Sequence, residues 1–164
     1  MRHVRGYVCV APPSYQPGIE ILFGRNTESH DPPYRNFETN NLTPYGTKSE
    51  AEKGKRALRE LPTFPRVRIA RISMTVIEKD KDLEQLTGKA FVAIQLSKDF
   101  PGEAWLYGRR VKGRPGFDSR SMLCENGMKP YSKRADAYYA AREIQRQACT
   151  RAAVASFELK YVSG

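Results

Sequence analysis

The sequence predicts an α+β protein in which one strand-strand-helix-strand unit occurs twice in tandem. The strands form antiparallel sheet and both helices pack on one face. Three observations predict this. The chain has 164 residues, 40% hydrophobic and 28% charged, the composition of a folded domain large enough to bury a core without metal or disulfide staples. Pro17-Gly-Ile-Glu-Ile-Leu-Phe-Gly-Arg25 returns as Pro101-Gly-Glu-Ala-Trp-Leu-Tyr-Gly-Arg109, at an offset of 84 (101 − 17). The same order of strand and helix patterns then follows each copy.

Tyr7-Val-Cys-Val10 reads as a strand, and Phe91-Val-Ala-Ile94 repeats it. Each is joined to a second strand by a segment rich in Pro and Gly, 11–18 in the first copy and 97–102 in the second. Pro lacks a ladder donor and Gly relaxes the backbone, so such segments end strands and make hairpins. In the second hairpin Trp105 and Tyr107 share one face and Leu106 takes the other. A first helix is expected from Thr47, where Thr47-Lys-Ser-Glu50 has the form of a capping box, to the stop at Pro62 and Pro65. Pro44-Tyr45 ahead of it returns as Pro130-Tyr131. A second helix is expected from Ser132 to about Cys149, with Ala137, Ala140, Ala141, Ile144 and Ala148 on one thin apolar stripe. Ile72, Met74 and Val76 mark the closing strand of the first copy, and Phe157, Leu159 and Tyr161 that of the second. The expected division is therefore 1–77, a charged linker at 78–89, and 90–164, with both units sharing one core.

Lys and Arg number 28 against 18 Asp and Glu, a formal charge of +10. Residues of both copies carry the excess, so a folded surface and not a tail presents it. Such a surface attracts nucleic acid, DNA or RNA, or an acidic protein. No apolar run approaches a membrane span and no basic-then-apolar leader opens the chain, so no membrane role is expected. Cys9, Cys124 and Cys149 are few and widely spaced, which argues against disulfides and zinc and for a reducing, cytoplasmic setting. His3 and His30 stand apart, and no nucleotide, zinc-protease or serine-hydrolase motif occurs. No enzyme activity, cofactor or metal is expected.

The leading functional expectation is nucleic-acid binding through phosphates. The densest basic run, Arg109, Arg110, Lys112 and Arg114, follows Trp105 and Tyr107, and Arg25 holds the matching place in the first copy. Arginines fork onto phosphates and adjacent aromatics can stack on bases. The rival expectation is a protein-interaction module, an accessory or inhibitor protein docking on an acidic partner. It would use the two long irregular segments 26–45 and 111–131, with Tyr34, Arg35, Phe37, Tyr45, Arg120 and Tyr131 as contacts. Exposed sheet edges would also allow a homodimer.

Overall fold

The computed structural model describes residues 1–110 and 121–162. Seven strands and two α-helices follow in the order β1 (Arg2–Ala11), β2 (Ile21–Gly24), β3 (Arg35–Asn36), α1 (Lys48–Arg59), β4 (Arg68–Ile77), β5 (Phe91–Leu96), β6 (Ala104–Tyr107), α2 (Arg134–Ala148) and β7 (Ala152–Tyr161). One antiparallel sheet runs β3-β2-β1-β4-β7-β5-β6. The class is α+β, as the residue pattern predicts, with the sheet continuous across both halves through the β4–β7 ladder.

Alternation along the strands sorts residues to two sides. Val4, Val8, Val10, Leu22, Ile72, Met74, Val92, Ile94, Leu106 and Phe157 meet in one buried cluster on the inner side of the curled sheet. Cys9, Ala11, Phe23 and Ile69, of opposite parity, bury Ala51 and Leu58 of α1. Ile77, Phe91, Ala93, Ala152 and Val154 bury Ala137, Ala140, Ala141 and Ile144 of α2. The alanine stripe sets how near α2 can lie, because small side chains let the helix axis approach the strands.

The helix boundaries refine the expectation. Thr47 caps α1 by accepting the Glu50 amide at 3.2 Å. The reciprocal half of the box differs: the Glu50 carboxylate accepts the Thr47 hydroxyl, not the Thr47 amide. The second helix begins at Arg134, two residues after Ser132, and ends at Cys149 in a left-handed cap with φ 53°. The charged segment between the halves holds a 3-10 helix, Asp80–Gln85, anchored by Leu86, which is 1% exposed.

The sheet curls until its two margins meet. Ala104 N–H donates to the Glu38 carbonyl at 2.7 Å, and Leu106 N–H donates to the Glu38 carboxylate at 2.7 Å. On the matching side Glu20 N–H donates to the Cys124 carbonyl at 3.0 Å. Phe37 N–H bonds the Leu22 carbonyl and Leu123 N–H bonds the Leu106 carbonyl. These bonds occupy groups on the outer edges of β2 and β6 that would otherwise be open to a second chain.

Candidate nucleic-acid interface

On β4, Arg71, Ser73 and Thr75 share the parity of Ile69 and Ile77, the residues that pack against α1 and α2 respectively. Neither helix covers them. The register aligns Tyr7, Arg5 and His3 beside them on β1, and Lys160, Glu158 and Ser156 beside them on β7. The three strands thus present one polar strip at the middle of the sheet.

The strip is electrostatically one-sided. Arg71 faces Lys160 directly across the β4–β7 ladder. Like charges opposed in this way cost stability unless a counter-charge relieves them. Glu158, the single carboxylate of the nine strip residues, pairs with Lys160 at 3.0 Å. That leaves Arg5 and Arg71 with no ion pair inside the strip. Arg71 lies over the Tyr7 ring at 5.7 Å, and Arg5 stands diagonally across from it, opposite Ser73. His3 Nδ1 meets the Thr75 hydroxyl at 3.2 Å. Arg5, Tyr7, Arg71, Ser73, Glu158 and Lys160 surround a shallow recess of about 330 Å³. Its donors are guanidinium, ammonium and hydroxyl groups, the set that holds phosphate oxygens.

The residues singled out from sequence fall elsewhere. Arg25 and Arg109 are exposed just past the ends of β2 and β6, with Arg110 exposed beside Arg109. Lys112, Arg114 and Arg120 lie outside the described residues. Tyr107 is 6% exposed and its hydroxyl donates to Gln95 Oε1 at 2.8 Å, so its ring belongs to the α2 core and offers no face to a base. Trp105 is half-buried against the same cluster.

The long segments likewise spend their aromatics internally. Phe37 is 0% exposed, and Tyr45 and Tyr131 are each 2% exposed, which corrects their expected role as partner contacts. Tyr45 exchanges backbone bonds with Tyr7 and Tyr131 does so with Phe91, extending the sheet by a bridge on each side. Tyr34 is half-buried, edge-on to Phe23 at 5.8 Å. Arg35 pairs with Glu28 of its own segment at 2.9 Å.

Two asparagines that sequence reasoning passed over organise these segments. Asn40 Nδ2 donates to the carbonyls of Arg25 and Thr43, and its Oδ1 accepts from Thr43 N–H. Asn126 Nδ2 donates to Arg109 and Lys129, and its Oδ1 accepts from Lys129 N–H. The signal was present: Asn40-Asn-Leu-Thr-Pro-Tyr45 and Asn126-Gly-Met-Lys-Pro-Tyr131 share Asn, Pro and Tyr at the same spacing.

Cys9 is buried with its thiol donating to the Ala51 carbonyl, and burial pushes that thiol up to about 12. Glu38 sits 9% exposed at the seam, where burial raises its carboxyl to about 7 against the pull of the Leu106 amide. Among the described residues no group of three or more His, Cys, Asp or Glu is placed to hold a metal, and no helix is long and apolar enough to cross a membrane. No family model, curated protein or solved structure matches the chain.

Proposed function

We propose that the protein is a non-enzymatic nucleic-acid-binding protein that grips phosphates with the strip of Arg5, Arg71 and Lys160. The observation that carries this reading is the opposition of Arg71 and Lys160 on adjacent strands at the sheet centre. A chain selected for stability alone would place opposite or neutral side chains there. An anionic ligand supplies the missing counter-charge, and Tyr7 beside Arg71 adds an aromatic surface. Arg25, Arg109 and Arg110 extend the positive field at the sheet margins.

We further propose that the fold arose by duplication of a strand-strand-helix-strand unit, with both helices on the outer face and the strip between them. Its support is a coincidence of register. Ser73 pairs with Glu158, and the two occupy matching places in the halves, 85 residues apart (158 − 73). In this reading β1 corresponds to β5, β2 to β6, β4 to β7 and α1 to α2, and the strip lies where the two halves join.

Fluorescence anisotropy with single-stranded and duplex oligonucleotides, at low and moderate salt, tests the functional reading. The expected result is micromolar or tighter binding that weakens steeply with salt. Arg5→Ala, Arg71→Ala and Lys160→Ala should each lower the salt slope by about 1. Arg109→Ala with Arg110→Ala should change affinity less. No salt-sensitive binding at micromolar protein overturns the proposal.

A further inference from the structure

The two halves differ where the first strand of each begins. In the first half β1 pairs with β4 all the way to Arg2 opposite Val76. In the second half the β5–β7 ladder stops at Phe91 opposite Ser156, with one last bond from Phe157 N–H to the Ala90 carbonyl. Continuing that register would set Gly88 opposite Leu159, the place Val4 takes opposite Met74. The chain instead turns away at Gly88, whose φ of +138° suits glycine and few other residues.

An open slot results. The Phe157 amide points toward β5, and strand alternation points the amides and carbonyls of Leu159 and Tyr161 the same way. Among the described residues those backbone groups have no protein partner. Beside them lies a cleft of about 820 Å³, lined by Phe157, Leu159, Tyr161, Met128, Pro130 and Lys89 among others. The first half shows what fits such a slot. There Arg2–Gly6 lies between β4 and the loop before Tyr45, with Arg2 bonded to Asn41 and Gly6 close against Pro44 and the Tyr45 carbonyl.

We propose that this slot binds an extended peptide segment of a partner protein, added as a strand antiparallel to β7. This proposal does not depend on nucleic-acid binding. Main-chain bonds to Leu159 and Tyr161 supply affinity, and alternate side chains supply specificity. The chemistry of the segment follows from the residues it faces. An apolar side chain opposite Leu159 enters the cleft as Val4 enters the core opposite Met74. An acidic residue suits Lys160, which is exposed on the outer face, whereas the register place opposite Glu158 falls to Lys89 of the chain itself. The recognised pattern, read from its N-terminus, is acidic then apolar, and the segment ends before the place of Lys89.

The probe is a fluorescent peptide amide, Met-Arg-Asp-Val, which is residues 1–4 with His3→Asp, titrated into the full chain. Saturable binding is expected, with the Leu159 and Tyr161 amides gaining protection in hydrogen exchange. N-methylation of the valine amide, which faces β7, should weaken binding about tenfold or more, whereas N-methylation of the aspartate amide before it should change it less than about twofold. Leu159→Pro removes the receiving donor without touching a bond of the β4–β7 ladder and should match the valine methylation. Absence of saturable binding at millimolar peptide overturns the proposal. So does binding that leaves the two amides unprotected, or that is equally sensitive to both methylations.

Discussion

The loop segment 37–45 and its counterpart 123–131 do the same structural work with different residues. Each carries a core hydrophobe, Phe37 or Leu123, that bonds a β2 or β6 carbonyl. Each carries an asparagine that ties three backbone groups, and each ends on a buried tyrosine bridged to the sheet. They part company at the seam. Where the first has Glu38, the second has Cys124. The Glu38 carboxyl is raised to about 7 by burial, and the Cys124 thiol is pushed up to about 12 by burial with Glu38 adding to the effect. The shared residues hold the backbone, and the differing ones set how each seam responds to pH.

The largest effects should come from substituting the glycines just before Arg25 and Arg109. A Cβ on Gly24 would stand 2.2 Å from the Thr43 carbonyl oxygen, and one on Gly108 would stand 2.1 Å from that of Lys129. Both obstacles are backbone and cannot swing aside. Gly24→Ala and Gly108→Ala should each cost about 3–5 kcal/mol, read from urea unfolding midpoints. A loss confined to one of them would break the parallel between the segments.

Next in size is the seam. An unfolded Glu38 ionises near 4.5 and the folded one near 7, so the folded state holds the proton longer. Its contribution is greatest below pH 4.5 and is lost as pH rises through 7. Glu38→Gln keeps an acceptor for Leu106 N–H without the charge. It should therefore stabilise the protein by roughly 3 kcal/mol above pH 7 and leave it little changed below 4.5. Paired thermal melts across that range measure the difference. Cys124→Ser should show no comparable slope.

Asn40→Ala and Asn126→Ala should follow at about 2–3 kcal/mol each, since each strands buried carbonyls and one amide. The smallest structural effect should be Gly54→Ala. Helix propensity alone favours alanine by about 1 kcal/mol, but a Cβ there would meet the Tyr45 hydroxyl at 2.2 Å. A net destabilisation of about 1–2 kcal/mol, seen as a lower Tm, is expected once the Tyr45–Pro33 bond is displaced.

Periodicity and local chemistry made most of the scaffold readable. The Thr47 cap, the alanine stripe of α2 and the two hairpins are short-range features, and short-range rules capture them. The curl of the sheet and its seam were not readable, because they depend on which side chains meet across 68 residues, as Glu38 and Leu106 do. The strip was missed for a related reason. Arg5, Arg71 and Lys160 are far apart in the chain and look like ordinary solvated charges until the β1–β4–β7 register sets them together. The dense run at Arg109 drew notice because linear density is what a sequence displays. Tyr107 and Trp105 looked equally suited to stacking and to the core, and only the position of α2 decides between them.

The central ladder joins the last strand to one from the middle of the chain, with the Thr75 amide on the Ser156 hydroxyl across 81 residues. Such pairing cannot form early, because loop-closure entropy must be overcome before the contacts return anything. Folding should therefore belong to the slow, millisecond-to-second class, and β4 must wait during synthesis with one flank exposed until β7 is made. The polar Arg71, Ser73 and Thr75 on that waiting strand would also keep it from self-association, so residues we assign to ligand binding would protect the nascent chain as well.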